Sequence, residues 1–228
     1  MLGGEGAVLI WNDIAPEGRD EFYAWHIAEH MPERAGIPGF RRGRRYIACD
    51  ADTAPEFFTL YETDTPQVLV SQDYLSRLNT PTPWTQRATR AFRNTSRALT
   101  SVRASHGPGP GGVIATIRFD LDPSEAEDVL AALAGPALAS IARMPQVTGA
   151  HLCVTNEAAS AERTAESRER TDIQAAPERA ILLEGCNPEP LRDAVAALLT
   201  GPTVRLQREV VGIYRLEYCR LRTAWRAS

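Results

Sequence analysis

Two of the four histidines in this 228-residue chain, His26 and His30, stand four residues apart in FYAWHIAEHMPER, residues 22–34, with Glu29 between them. Downstream, GFRRGRRY carries Arg42, Arg44 and Tyr46. Two chemistries suit this set. His26, Glu29 and His30 spell H-x-x-E-H, a pattern in which two histidines hold zinc and the glutamate acts on bound water. Zinc needs a third ligand, and the other histidines, His106 and His151, have no companion motif. Alternatively, His30 serves as a general acid/base near neutral pH, with His26 and Glu29 tuning it. Tyr46 would then donate to an oxygen that becomes negative, and Arg44 or Arg42 would clamp an anionic substrate. Against both stands the plain alternative: His30 caps its helix, Tyr46 packs in the core, and the arginines pair with Glu29 and Glu33.

The elements that must position these groups follow from periodicity. At roughly 100° per helical residue, Phe22, Trp25, His26, Glu29, His30 and Glu33 fall within an arc of roughly 140° on one helix. Pro32 and the Gly36-Ile37-Pro38-Gly39 run predict that the helix stops just after His30, at the negative end of its dipole. On the following strand, Arg42, Arg44 and Tyr46 share a face by alternation. Trp25, and Trp84 in TPTPWTQR, offer aromatic walls for a pocket.

The runs FYAWHIAEHMPER, IPGFRRGRRY and TPWTQRATRAFRNTSRAL together resemble the EthD-type branch of the dimeric α+β barrel superfamily over about residues 8–100. His30 with Pro32 matches that family's helix-end element, and Tyr46 its strand tyrosine. The resemblance implies a pocket inside one α+β unit, lined by the end of the first helix, the next strand and the second helical region. It does not fix an activity, because such barrels include isomerases, cyclases, cofactor-free monooxygenases and haem enzymes. This chain departs from the pattern by carrying two units.

Those two units flank a Gly/Pro linker, SHGPGPGG at 105–112, which neither a helix nor a central strand can cross. Residues 1–104 read β-α-β-β-α-β: strands at 6–13, 39–50, 56–63 and 93–103, helical stretches at 17–31 and 66–91. Residues 113–228 repeat the order, with strands near 111–121, 149–156, 179–185 and 208–218 and helices at 123–144 and 189–200. The fold class expected is α+β: tandem ferredoxin-like units whose open sheet faces are buried by packing as an intramolecular barrel. The second unit's first helix lacks a histidine-glutamate set, so one active half and one structural half are expected. Residues 157–178, polar and alanine-rich, read as a mobile surface loop.

Composition narrows the classes. All 25 basic residues are arginine, so lysine Schiff-base chemistry is excluded, as are P-loop and G-x-S-x-G mechanisms. A net charge of −4 argues against nucleic acid, and no apolar run suits a membrane span. Four scattered cysteines and no secretory signal point to reduced thiols in the cytoplasm. The expectation is a cofactor-independent, metal-free isomerase, lyase or cyclase acting on a small anionic or aromatic metabolite, with dimerisation of the fused chain left open. A non-catalytic binder of a hydrophobic metabolite, or a haem- or metal-dependent enzyme, are the alternatives.

Overall fold

Alternation along the strands decides which side chains meet the helices and which turn inward. The computed structural model describes residues 1–167, 172–201 and 206–222. The first half comprises β1 (Gly6–Ile14), helix α1, β2 (Phe40–Ala48), β3 (Phe57–Thr63), helices α2 (Gln72–Asn79) and α3 (Pro83–Ala88), and β4 (Phe92–His106). The second comprises β5 (Val113–Asp120), helix α4, β6 (Val147–Thr155), the short α5 (Glu157–Ala161), β7 (Arg179–Gly185), α6 (Pro188–Leu199) and β8 (Gln207–Leu221). The β-α-β-β-α-β order expected for each half is present. No described helix is long and apolar enough to cross a membrane.

All eight strands close into one antiparallel barrel in the order β1-β3-β2-β8-β5-β7-β6-β4. Two seams join the halves, β2 against β8 and β4 against β6. Inward-facing Leu9, Trp11, Tyr46, Phe58, Ile114 and Tyr214 fill the lumen. Each buried side chain of this size contributes roughly 1.5–3 kcal/mol of burial. Trp11 carries its indole N–H across the lumen to Thr116 Oγ1 at 3.1 Å.

Helix α1 is built in three pieces: α-helical Arg19–Trp25, a π turn at His26–His30, and α-helical Met31–Ala35. The helix therefore continues past His30 and ends at Gly36, correcting the expected stop at Pro32. Proline has no N–H to donate and its ring crowds the carbonyl four residues back. The wider turn accommodates it: the Met31 N–H bonds the His26 carbonyl, five residues away. Helix α4 is interrupted at the corresponding place, with α-helical Ala126–Ala132, a widened turn Leu133–Ala137 kinked at the non-helical Gly135 before Pro136, and Leu138–Ile141.

Two further details differ from expectation. β4 reaches His106, so the turn between the halves occupies only 107–112. The described part of 157–178 is bound to the first half, as set out below. The end of the second unit, 223–228, lies outside the described residues.

Candidate functional site

A cavity of about 490 Å³ opens between the helix-facing side of the first half's sheet, α1, and residues 157–167 and 172–178 of the second half. Its floor is made by Ile10, Asn12 and Thr59, one wall by Trp25, His26 and His30, and the opposite wall by Thr95 and Arg97. Both imidazoles are enclosed, at 4% and 6% exposure, so neither ring is splayed into water.

The π turn sets their geometry. Its extra residue brings the two rings nearly parallel, 20° between planes with centroids 5.4 Å apart. Trp25 lies against His30 at 4.3 Å. The indole N–H donates to Thr85 Oγ1 at 3.1 Å, and that hydroxyl donates in turn to Glu29 at 3.1 Å. Thr82, which caps α3, donates to the same carboxylate oxygen at 2.6 Å. Glu29 is thus linked to His30 through Thr85 and Trp25.

His26 is held neutral. Burial lowers its pKa well below the usual imidazole value, and the neighbouring His30 and Arg45 push the same way. Arg45 Nη1 lies 3.3 Å from His26 Nδ1. A guanidinium can only donate, so Nδ1 accepts and the neutral ring carries its proton on Nε2. Arg45 is balanced by Glu217 at 3.1 Å and rests on the Tyr23 ring at 4.6 Å.

Arg42, Arg44 and Tyr46 share a face as alternation requires, but that face is the barrel lumen. Gly43 and Arg45 are the β2 residues that meet α1: a Cβ built on Gly43 would sit 2.9 Å from Met31 Cε. Arg44 bridges two buried carboxylates, Glu62 at 2.9 Å and Glu184 at 2.5 Å. Arg42 pairs with Glu62 at 2.6 Å. Burial pushes the Glu184 carboxyl up, yet His151 and Arg44 beside it hold it down at about 2. Tyr46 has a phenol whose pKa is pushed upward by burial, and its hydroxyl has no hydrogen-bond partner among the described residues. Of the eight candidates, the structure therefore gathers His26, His30 and Trp25 at the cavity, with Glu29 behind them. Arg42, Arg44 and Tyr46 lie on the far side of the sheet. Trp84 packs half-buried beside the Phe22, Trp25 and Phe92 cluster and does not line the cavity.

Four lining residues carried no motif: Asn12, Thr59, Thr95 and Arg97. The two-residue strand period groups 10 with 12, and 95 with 97, on one face of each strand, without saying which face meets the helix. The Thr95 hydroxyl is buried without a hydrogen-bond partner among the described residues.

The second half supplies the outer wall. At the edge of β4, Leu99 N–H donates to Ser160 Oγ at 2.9 Å, Gln174 N–H to the Thr95 carbonyl at 2.8 Å, and Ser96 Oγ to the Ala175 carbonyl at 2.9 Å. Arg34, buried in α1, pairs with Glu33 and Glu166. These bonds satisfy strand-edge groups that β6, pairing only with 100–106, leaves uncovered.

The donor set does not fit zinc. His26 Nδ1 already accepts from Arg45, and no group of three or more His, Cys, Asp or Glu side chains among the described residues could hold a metal.

No protein-family model matches the sequence, and no curated protein matches it. Solved structures do. An anthrone oxidase-like protein superposes with a TM-score of 0.57 at 12% identity, over 98% of this chain and 95% of that one. A protein provisionally named a monooxygenase, from Lactobacillus acidophilus, gives 0.57 at 11% identity over 96% and 97%. A haem-binding protein from Thermus thermophilus gives 0.52 at 10% identity over 93% and 91%. At such identities the likeness speaks for architecture alone: the chain has a ferredoxin-like α+β fold, its eight strands closed into a barrel within a single polypeptide.

Proposed function

We propose that this protein is a cofactor-independent acid/base enzyme of the EthD-like kind, acting on a small aromatic or anionic metabolite in the cavity of its first half. The observation that carries the proposal is the enclosed pair of imidazoles, His26 and His30, facing a volume of about 490 Å³. That volume suits a ligand of two or three fused rings.

In this proposal His30 removes a proton from a carbon or oxygen acidified by a neighbouring carbonyl. The electron pair moves onto that carbonyl oxygen, which the Thr95 hydroxyl or the Asn12 amide stabilises as charge develops. Returning the proton to another atom completes an isomerisation; attack of the enolate carbon on a second carbonyl of the ligand, whose oxygen then takes the proton, completes a cyclisation. His26, fixed as the neutral Nε2–H tautomer, keeps a second cation away from His30. The second half closes the cavity against water and has Leu133 and Ala137 at the bounds of its widened turn, where α1 has the histidines.

The test is exchange of ligand C–H for deuterium from D2O, followed by mass spectrometry on a panel of enolisable aromatic ketones. Turnover in the parent and a loss of roughly 100-fold or more in His30→Gln, with binding little changed, is the expected result. Binding without exchange would leave a non-catalytic carrier, and exchange untouched by His30→Gln would end the proposal. Oxygen uptake in the same assay separates an oxidase, which starts from the same carbanion and passes its electrons to O2. A Soret band on adding haemin, lost in His30→Ala, would establish the haem alternative.

A further inference from the structure

We propose that Arg97 anchors the ligand's anionic group, so that the cavity takes an elongated, apolar-bodied carboxylate. This rests on the preceding reading of the same cavity. The other buried arginines around it already have carboxylate partners: Arg45 with Glu217, Arg34 with Glu33 and Glu166. Arg163, on the outer wall, bonds the Ser167 carbonyl. Arg97 is half-buried and lines the cavity, and its guanidinium makes no hydrogen bond or ion pair with any described residue. A half-buried guanidinium presents five donors in a planar fork that matches a carboxylate two-pronged.

Its placement relative to the imidazoles follows from register. Arg97 on β4 is opposite Ile10 on β1, Ile10 is opposite Thr59 on β3, and Thr59 is opposite Arg45 on β2. All four face α1, and Arg45 touches His26. With strands about 4.8 Å apart, the backbone carrying Arg97 lies two spacings, roughly 10 Å, from that of Thr59. The floor between is the apolar Ile10. A ligand spanning it has its charge at one end and its reacting atom at the other, near His30.

The carboxylates that could compete are Glu157, Glu162 and Glu178, all lining the cavity but exposed at its rim. None lies within ion-pair distance of Arg97. Charges at the rim are screened by salt, whereas a ligand carboxylate inside the cavity is screened much less.

The experiment is calorimetric titration with 2-naphthoate and with its neutral counterpart 2-naphthamide. The parent protein should bind the carboxylate at least about tenfold more tightly than the amide. Arg97→Gln should erase that preference while leaving the amide's affinity within about twofold, and Arg97→Lys should restore part of it. His30→Gln should leave the preference intact. Equal affinity of the parent for both probes, or a preference that survives Arg97→Gln, overturns the anchor and leaves the acid/base proposal standing. Failure of both probes to bind overturns both.

Discussion

His26 and His30 face each other ring to ring across one π turn, and both are buried. Two imidazolium ions so placed would repel, so protonation of one opposes protonation of the other. His26, with the Arg45 guanidinium also beside it, is the ring kept neutral.

This has a consequence for stability against pH. The folded His26 has a lowered pKa, as does buried His151, while both titrate near 6.5 in the unfolded chain. Their contribution is fully present above that value and is lost as pH falls below it, because only the unfolded chain takes up the protons. Each should steepen the decline by up to about 1.4 kcal/mol per pH unit. Glu33, with a carboxyl pushed up by burial, offsets part of the effect. Thermal melts from pH 7.5 to 5.5 should therefore show a falling midpoint, with a shallower fall in His26→Gln. Parallel curves for parent and variant would contradict the neutral His26.

Arg44 bridges Glu62 and Glu184 inside the lumen, so Arg44→Met takes a guanidinium from both buried carboxylates, leaving Glu62 with Arg42 and Glu184 with His151. Removing one partner of such a network costs about 3–5 kcal/mol. Urea unfolding should register that loss, while Kd for 2-naphthoate stays within about twofold in the fraction that remains folded. A variant of normal stability that no longer binds would return Arg44 to the ligand site.

The relay Trp25–Thr85–Glu29 offers a finer test. Thr85→Val removes the acceptor for the indole and a donor to Glu29, costing about 1–3 kcal/mol, and frees Trp25 to shift against His30. Exchange activity should fall more in Thr85→Val than in Glu29→Gln, whose side-chain oxygen still accepts from both hydroxyls. The reverse order would mean that the charge of Glu29 matters more than the position of Trp25.

Gly43 lets α1 lie close on β2. A Cβ there would stand 2.7 Å from the Tyr61 ring as well as 2.9 Å from the Met31 methyl, so Gly43→Ala must displace that ring or the methionine side chain, and is expected to shift the helix that carries Met31. A cost of about 1–3 kcal/mol is expected, together with weaker 2-naphthoate binding as the imidazoles shift. Unchanged chemical shifts for the His26 and His30 ring protons would show that the helix had not moved.

How much of this could be seen in the residues alone is best judged at β2. Alternation grouped Arg42, Arg44 and Tyr46, and the grouping is correct. Alternation cannot say which face of a strand meets a helix when both faces are covered, and here the face chosen was the lumen. The carboxylates that hold Arg44 come from β3 and from β7, the latter 140 residues away. Helix α1 was legible from its spacing, but its π turn was not, because Pro32 signals either a stop or a widened turn and only packing against the sheet decides. The outer wall at 157–167 and 172–178 looked like solvent-facing chain, since Ser160, Glu166, Gln174 and Ala175 find their partners on β4 and α1. The two-unit order was plain because each unit repeats the same hydrophobic periods on either side of the linker.

Closure of the barrel within one polypeptide has a final implication. In a pair of identical chains, any substitution in one hollow is copied into the other, so both must keep their chemistry or lose it together. Here His26 and Leu133, which open the widened turns of the two halves, are encoded separately. Selection could let one hollow fill with aliphatic side chains while the other kept its imidazoles, and could lend a segment of one half to wall in the cavity of the other.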